Sequence, residues 1–328
     1  MLFWRRTPPL IIGSENSVSE LKKIKIGGID QGLLIRGKNK NNPILLFLHG
    51  GPGSAQIAVA SKYQSILEEH FIVVNWDQRG AGLSYSKAVS KETMSVDNFI
   101  KDTKELIDYL LKIYSKQKIF LAGHSWGSLL GVLVSHKFPE LIERYVGIGQ
   151  AVDLEENERS AYDYVIKYAE KTNNKRAKKE LQEIGKPPYK DMIGCTKVRS
   201  RWTSKFNARF YNTSMIKFML KYLISQEYNL ADVIKFLKGS TFSFNTMWQE
   251  VMGLNLSELV PRLNMPVYFM LGRHDFTTLY DIAIKYCEKL IAPYKEVILF
   301  ENSAHCIPFE EPEKFQRILI EKLKVQEA

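Results

Sequence analysis

Gly-His-Ser-Trp-Gly at residues 123–127 is the stretch that decides the fold of this chain. It directly follows the apolar run Lys-Ile-Phe-Leu-Ala at 118–122, and a helical pattern extends from about 126 to 137. A serine at such a turn between a strand and a helix is held in a strained conformation with its hydroxyl exposed. The flanking glycines let the strand and the helix pack closely, and the helix start adds unpaired N–H groups where negative charge develops. The stretch therefore predicts that Ser125 is a nucleophile.

A serine hydroxyl is protonated at neutral pH and needs a base before it can attack a substrate. Where the motif lies between a strand and a helix, an acid and then a histidine follow the serine along the chain. Of the six histidines, His305 lies in a loop beyond the last predicted strand. Asp275 directly follows the apolar run at 267–271 and is the predicted acid, with Asp153 as the alternative. The acid would orient the imidazole and stabilise its cation.

A glycine-rich loop, His-Gly-Gly-Pro-Gly at 49–53, follows the apolar run Ile-Leu-Leu-Phe-Leu at 44–48. Glycines at this place let the backbone approach a ligand closely. We expect the N–H of Gly51 to pair with that of Trp126 and to hold the oxyanion of a tetrahedral intermediate.

Strand-like and helix-like segments alternate over residues 21–150 and again near the C-terminus. Such alternation is typical of the α/β class, with a mostly parallel sheet covered by helices on both faces. Residues 22–26 and 32–36 would add an antiparallel hairpin at one edge, and Ser95 is a predicted N-cap. The predicted strands are 44–48, 71–75, 118–122, 267–271 and 297–300, and the predicted helices are 96–114, 126–137, 279–290 and 311–323.

Residues 153–260 break this alternation, because they favour helix and lack a strand series. We therefore expect an inserted helical cap at 153–260, between two parts of one sheet domain at 1–152 and 261–328. A chain of 328 residues fits one large domain with a sizeable insertion.

The net charge of +10 is concentrated in residues 171–221, which carry 14 Lys and Arg against 3 Asp and Glu. The remainder of the chain is nearly neutral, and no nucleic-acid motif accompanies the basic segment. Three interpretations are open: a set of solvated helices, a positive field that draws anionic substrates to an active site, or a surface for nucleic acid or membranes. We expect a small-molecule or short-peptide substrate and no nucleic acid.

Signals for a metal, a disulfide framework or a membrane span are lacking in the sequence. Cys195, Cys287 and Cys306 have no metal spacing, and their odd number does not suggest a disulfide framework. No apolar run approaches the ~20 residues of a spanning helix, and the apolar run within residues 1–13 is too short for a signal peptide. We expect a cytoplasmic protein with reduced thiols, no metal and no cofactor; its oligomeric state is left open.

Three motifs at 49–53, 76–80 (Trp-Asp-Gln-Arg-Gly) and 123–127 together resemble the prolyl aminopeptidase (proline iminopeptidase) family of the α/β-hydrolase superfamily. Gly-Arg-His-Asp at 272–275 and Ser-Ala-His at 303–305 match later motifs of that family. The resemblance covers about residues 30–150 and 260–325 and leaves the cap out. It implies an α/β-hydrolase fold and release of an N-terminal residue, often proline, by acyl-enzyme chemistry.

In that family, carboxylates of the cap bind the free α-amino group of the substrate. The resemblance implies a similar role for Glu250, in Trp-Gln-Glu at 248–250, or for Glu227. The basic segment at 171–221 would repel an ammonium group, so a carboxylesterase or amidase acting on a small acyl substrate is the alternative. A third hypothesis is a ligand receptor that keeps the fold without turnover.

Overall fold

The computed structural model describes residues 7, 10, 15–211 and 213–324. Eight strands form one sheet in the order β1-β2-β4-β3-β5-β6-β7-β8. The strands are β1 Val18–Ile26, β2 Ile29–Gly37, β3 Ile44–Leu48, β4 Ile72–Asp77, β5 Ile119–His124, β6 Ile142–Ile148, β7 Val267–Gly272 and β8 Lys295–Phe300.

The sheet is parallel from β4 to β8, whereas β1 and β2 form the antiparallel edge that the sequence predicts. Both hairpin strands extend beyond the predicted segments. The central strands β3, β4 and β5 are buried along their whole length. This explains their continuous apolar runs, because both faces of such a strand are buried and carry apolar side chains.

Alternate residues of the central strands enter two different hydrophobic clusters. Leu46 and Leu48 of β3 pack with one cluster, while Leu45 and Phe47 pack with the other. The clusters contain helices from opposite faces, which confirms the predicted sheet with helices on both sides. The first cluster includes residues of α2 Val96–Ile113, α3 Trp126–Lys137 and α10 Tyr280–Lys289. The second includes residues of α11 Ile307–Glu310 and α12 Pro312–Leu323, whereas α1 Ile57–Tyr63 packs in a third cluster.

The predicted N-cap of α2 is confirmed, since the Ser95 side chain accepts a hydrogen bond from the N–H of Asn98. β6 is a strand that the apolar runs do not predict. Its sequence Ile-Glu-Arg-Tyr-Val-Gly-Ile has half-buried polar residues at its start, and these interrupt the apolar pattern.

Six helices lie between β6 and β7, where the sequence predicts a cap. Part of this region has a hydrophobic core of its own, formed by Tyr162, Val165, Ala169, Ala177, Leu181 and Trp202. The helices are α4 Leu154–Lys171, α5 Lys175–Ile184, α6 Met192–Lys205, α7 Met215–Leu223, α8 Leu230–Met252 and α9 Leu256–Leu259.

Within the ranges that the structure describes, each helix is too short or too polar to span a lipid bilayer. The predicted absence of a signal peptide concerns residues 1–13, most of which lie outside the described residues.

Candidate active site

Ser125 occupies the turn between β5 and α3 in a conformation that few non-glycine residues adopt. Its φ is 56° and its ψ is −120°, and its N–H donates to the carbonyl of Ile148 at the end of β6 over 2.9 Å. The flanking glycines make this turn possible. A Cβ on Gly123 would lie 2.2 Å from the carbonyl oxygen of Gly127, and a Cβ on Gly127 would lie 2.1 Å from that of Leu48. The strained serine is thus held by close backbone packing on both sides.

His305 and Asp275, 30 residues apart, meet at the carboxyl end of the sheet. Nδ1 of His305 lies 2.8 Å from Oδ2 of Asp275, and both side chains are buried. The other carboxylate oxygen accepts the N–H groups of Thr277 and Thr278 at 2.8 and 2.9 Å. Because a carboxylate accepts here, Nδ1 carries the proton and Nε2 is left unprotonated. The imidazole is therefore oriented to accept a proton through Nε2.

Ser125 and His305 line one cavity of about 520 Å³, together with Gly51 and Trp126. A Cβ on Gly50 would lie 3.2 Å from the Cβ of Ser125, so the glycine-rich loop passes directly beside the serine. Trp126 is the first residue of α3, and its N–H is among those that a helix cannot pair internally. The structure brings these predicted residues together.

His124 packs behind the histidine of this site. The two imidazole rings are 4.8 Å apart between centroids, and Nε2 of His124 lies 2.9 Å from the carbonyl oxygen of His305. Burial lowers the pKa of His124 to about 3. His124 is therefore neutral, donates through Nε2, and places no positive charge beside His305.

The glycine-rich loop is fixed by Gln78, a residue of the Trp-Asp-Gln-Arg-Gly motif. Its Nε2 donates to the carbonyl of His49 over 3.0 Å, and its Oε1 accepts from Nε1 of Trp126 over 3.0 Å. The N–H of Gln78 also donates to Nε2 of His49, whose pKa burial lowers to about 4. No chemical role was predicted for Gln78, and the signal that could have found it was its place in a motif directly after β4.

The structure does not bring Glu250 or Glu227 to this cavity. The exposed carboxylate of Glu250 accepts the N–H of Val96 at the start of α2 over 3.1 Å. Glu227 is buried, and its Oε2 lies 3.2 Å from the hydroxyl of Ser225. Neither residue is among the described residues that line the cavity. The cavity lining therefore gives no support to a role of these two residues in binding a substrate amino group, since spacing within the cap cannot reveal which helix face meets the serine.

Asp153, the alternative acid, is engaged elsewhere. Its Oδ1 accepts the N–H of Glu156 at the start of α4, and its Oδ2 accepts from the side chain of Asn255. It is therefore a helix N-cap residue, while Asp275 contacts the histidine.

Basic residues of segment 171–221 form part of the cavity wall. They are Lys197, Arg199, Arg201 and Arg209, and the only carboxylate among the described lining residues is Glu158. Glu158 is buried in a two-point ion pair with Arg199. The wall therefore presents net positive charge, as one of the three interpretations of this segment expects. Phe244 and Trp248 supply aromatic surface.

Across residues 7, 10, 15–211 and 213–324, no group of three or more His, Cys, Asp or Glu side chains is arranged to hold a metal ion. The cysteines of this part of the chain are free thiols.

Comparisons with known proteins agree with this architecture. The sequence profile of the alpha/beta hydrolase fold matches residues 43–312. The chain is 37% identical over 315 residues to YbaC of Bacillus subtilis (strain 168), named a probable aminopeptidase, covering 94% of this chain and 98% of that protein. It is 22% identical over 304 residues to a proline iminopeptidase of Saccharolobus solfataricus, covering 88% and 86% of the two chains.

Solved structures share the fold. A proline iminopeptidase-related protein from Thermus thermophilus superposes with a TM-score of 0.68 at 19% identity, covering 93% of this chain and 97% of that one. The proline iminopeptidase of Mycobacterium smegmatis superposes with a TM-score of 0.67 at 15% identity, with the same coverage.

Proposed function

Because this chain belongs to the α/β-hydrolase family and is a hydrolase, we propose that it works through a serine nucleophile and an acyl-enzyme intermediate. Ser125 is the nucleophile, His305 the general base and Asp275 the residue that orients the imidazole. The observation that carries this proposal is the 2.8 Å contact between Nδ1 of His305 and Asp275, with Ser125 and His305 in one cavity. With Nδ1 engaged by Asp275, Nε2 is the nitrogen of His305 left to accept the proton of Ser125.

The chemistry follows from this arrangement. Nε2 of His305 takes the hydroxyl proton of Ser125 as Oγ bonds to the substrate carbonyl carbon. The N–H groups of Gly51 and Trp126 stabilise the resulting oxyanion. The imidazolium then protonates the leaving group, which departs and leaves an ester on Ser125. Water, deprotonated by His305, hydrolyses that ester and regenerates the serine.

For the substrate, we propose a short peptide from which the N-terminal residue is released. The support is the overall similarity to the B. subtilis protein that is named a probable aminopeptidase. The cavity volume of about 520 Å³ suits a small ligand. With Glu250 and Glu227 outside the cavity lining, no ammonium site is assigned to them.

A carboxylesterase or amidase that acts on a small acyl compound is the second candidate. One observation favours it: the carboxylate in the cavity wall, Glu158, already pairs with Arg199. A substrate ammonium would have to compete with a buried guanidinium for that carboxylate.

Two measurements test the proposal. A fluorophosphonate probe should label Ser125, identified by peptide mass spectrometry; no labelling of a folded protein would favour a receptor without turnover. Prolyl β-naphthylamide, its N-acetyl derivative and p-nitrophenyl acetate then separate the candidates. An aminopeptidase should cleave the free amine far faster than its N-acetyl derivative, whereas an esterase should prefer the acetate. Cytoplasmic location stays a prediction.

A further inference from the structure

Arg209, between α6 and α7, is a cation in the cavity without an acidic partner. Its Nε is buried and has no hydrogen-bond partner, and no ion pair joins it to any Asp or Glu of the described residues. Its carbonyl accepts the N–H of His305 over 3.2 Å. The residue therefore lies beside the histidine of the active site, and it is one of the residues that line the same cavity as Ser125.

The acidic groups near Arg209 are occupied by other donors. Asp275 binds His305 and two backbone N–H groups. Glu310 accepts the N–H groups of Tyr211, Ala304 and Cys306. Glu158 accepts both arms of Arg199. Each of these carboxylates keeps its negative charge, but none forms an ion pair with the guanidinium of Arg209 among the described residues.

The thiol of Cys306 interacts with the Arg209 side chain, but it does not supply a negative charge. Burial raises the pKa of Cys306 to about 12, although Arg209 acts in the opposite direction. The thiol is therefore neutral at physiological pH, and a neutral sulfur is a weak acceptor. The thiol therefore forms no ion pair with Arg209.

Of the other three cations of the cavity wall, two form ion pairs and one is held by uncharged groups. Arg199 pairs with Glu158 and Arg201 with Glu180. Lys197 donates to the side chain of Asn245 over 2.7 Å and lies over the ring of Phe244. Of these four lining residues, Arg209 has the guanidinium that is available to a ligand.

We propose that Arg209 binds a carboxylate of the substrate, so that this hydrolase prefers acyl compounds or short peptides with a free carboxylate near the scissile bond. A guanidinium and a carboxylate match in geometry and can form two parallel hydrogen bonds. The positive cavity wall also raises the local concentration of anions. This inference rests on the proposed serine hydrolase function and adds the substrate class.

The carboxylate can belong to either side of the scissile bond, and two substrate pairs distinguish these sources. For the acyl side, the mono-p-nitrophenyl ester of succinic acid is compared with p-nitrophenyl butyrate. For the leaving group, the dipeptide prolyl-alanine is compared with its C-terminal amide. We expect wild type to prefer the carboxylate member of one pair in kcat/KM.

Replacement of Arg209 tests the contact itself. Arg209→Gln should reduce that preference by about 10- to 100-fold, because hydrogen bonds to a charged group are lost. The loss in kcat/KM should be smaller for the neutral member than for the carboxylate member. Arg209→Lys should restore part of the preference. Lys197→Gln removes one positive charge from the same cavity wall and is the matched control; it should lose much less of the preference than Arg209→Gln.

Three outcomes would overturn the inference: no carboxylate preference in either pair, an unchanged preference in Arg209→Gln, or an equal loss in Lys197→Gln. Hydrolysis of p-nitrophenyl butyrate and fluorophosphonate labelling report the serine hydrolase function separately.

A binding measurement keeps the inference testable without turnover. Succinate should raise the melting temperature of Ser125→Ala protein but not that of the Ser125→Ala, Arg209→Gln double variant. Equal shifts in both proteins would reject the site. Circular dichroism of each variant checks that it is folded.

Discussion

The carboxamide oxygen of Gln78 accepts a hydrogen bond from the indole Nε1 of Trp126 over 3.0 Å. The same carboxamide donates to the carbonyl of His49 at the start of the glycine-rich loop. One side chain thus joins the two backbone segments, at Gly51 and at Trp126, whose N–H groups we propose as the oxyanion hole. Since the side chain bonds neighbours of these groups, Gln78 is a positioning residue.

Gln78→Ala should lower kcat more than it raises KM, because misplaced oxyanion donors weaken binding of the transition state selectively. A displacement of about 1 Å can cost on the order of 10²-fold in rate. Gln78→Glu keeps an acceptor for Trp126, but it replaces the donor to His49 with a carboxylate oxygen and puts a buried negative charge near the developing oxyanion, so it should also lose kcat. Inhibition by a boronic acid, which mimics the tetrahedral intermediate, should weaken in parallel with kcat. Equal inhibition of all three proteins would contradict this role.

Ser125→Ala should abolish turnover, because no acyl-enzyme can form. By analogy with triad enzymes the loss in kcat is on the order of 10⁶-fold. Ser135→Ala is a matched control on the same helix, since the Ser135 hydroxyl is buried without a hydrogen-bond partner. It should keep full activity. A Ser125→Ala protein within tenfold of wild type would exclude Ser125 as the nucleophile.

Asp275→Asn should lower kcat by about 10⁴-fold, because the amide favours the wrong imidazole tautomer. Asp153→Asn is the control, and it should cost little activity. Asparagine can still cap α4 by accepting the N–H of Glu156, as Asp153 does. Steady-state kinetics at one pH measure kcat of both variants. A larger loss of kcat in Asp153→Asn than in Asp275→Asn would make Asp153 the acid.

The free energy of unfolding should fall as the pH drops below about 6.5, and His124 and His49 are two residues that cause this fall. Burial lowers their pKa values to about 3 and about 4, so the unfolded chain takes up protons that the native protein does not. Asp77 acts in the opposite sense. Burial raises its pKa to about 7, so its native carboxyl holds a proton that the unfolded chain releases above about pH 4.

The variant His124→Gln removes the contribution of one of these histidines to the pH dependence of stability. Between pH 6 and 4, its free energy of unfolding should fall less steeply than that of wild type, by about 1.4 kcal/mol per pH unit. Urea unfolding at several pH values measures this difference. Between pH 7 and 8, where His124 is neutral in both states, the two slopes should agree. Parallel slopes below pH 6 would mean that His124 is protonated in the native protein.

The local pattern of apolar runs and short motifs in the sequence was enough to predict the sheet domain and the chain positions of the proposed catalytic residues. Continuous apolar runs mark strands that are buried on both faces, and Ser125, Asp275 and His305 each follow such a run or lie in the loop after one. Because parallel strands end at the same edge of a sheet, their following loops must converge. The sequence by itself therefore determined the fold class and which side chains share that edge.

Only the tertiary structure decided what the cap contributes. Glu250 and Glu227 were chosen from the sequence, yet one accepts an N–H of α2 and the other is buried away from the cavity lining. Helix periodicity predicts a buried face but not the element that the face packs against. The sequence likewise could not single out Arg209 from the 14 basic residues of segment 171–221, because whether a cation forms an ion pair depends on side chains far away in the chain.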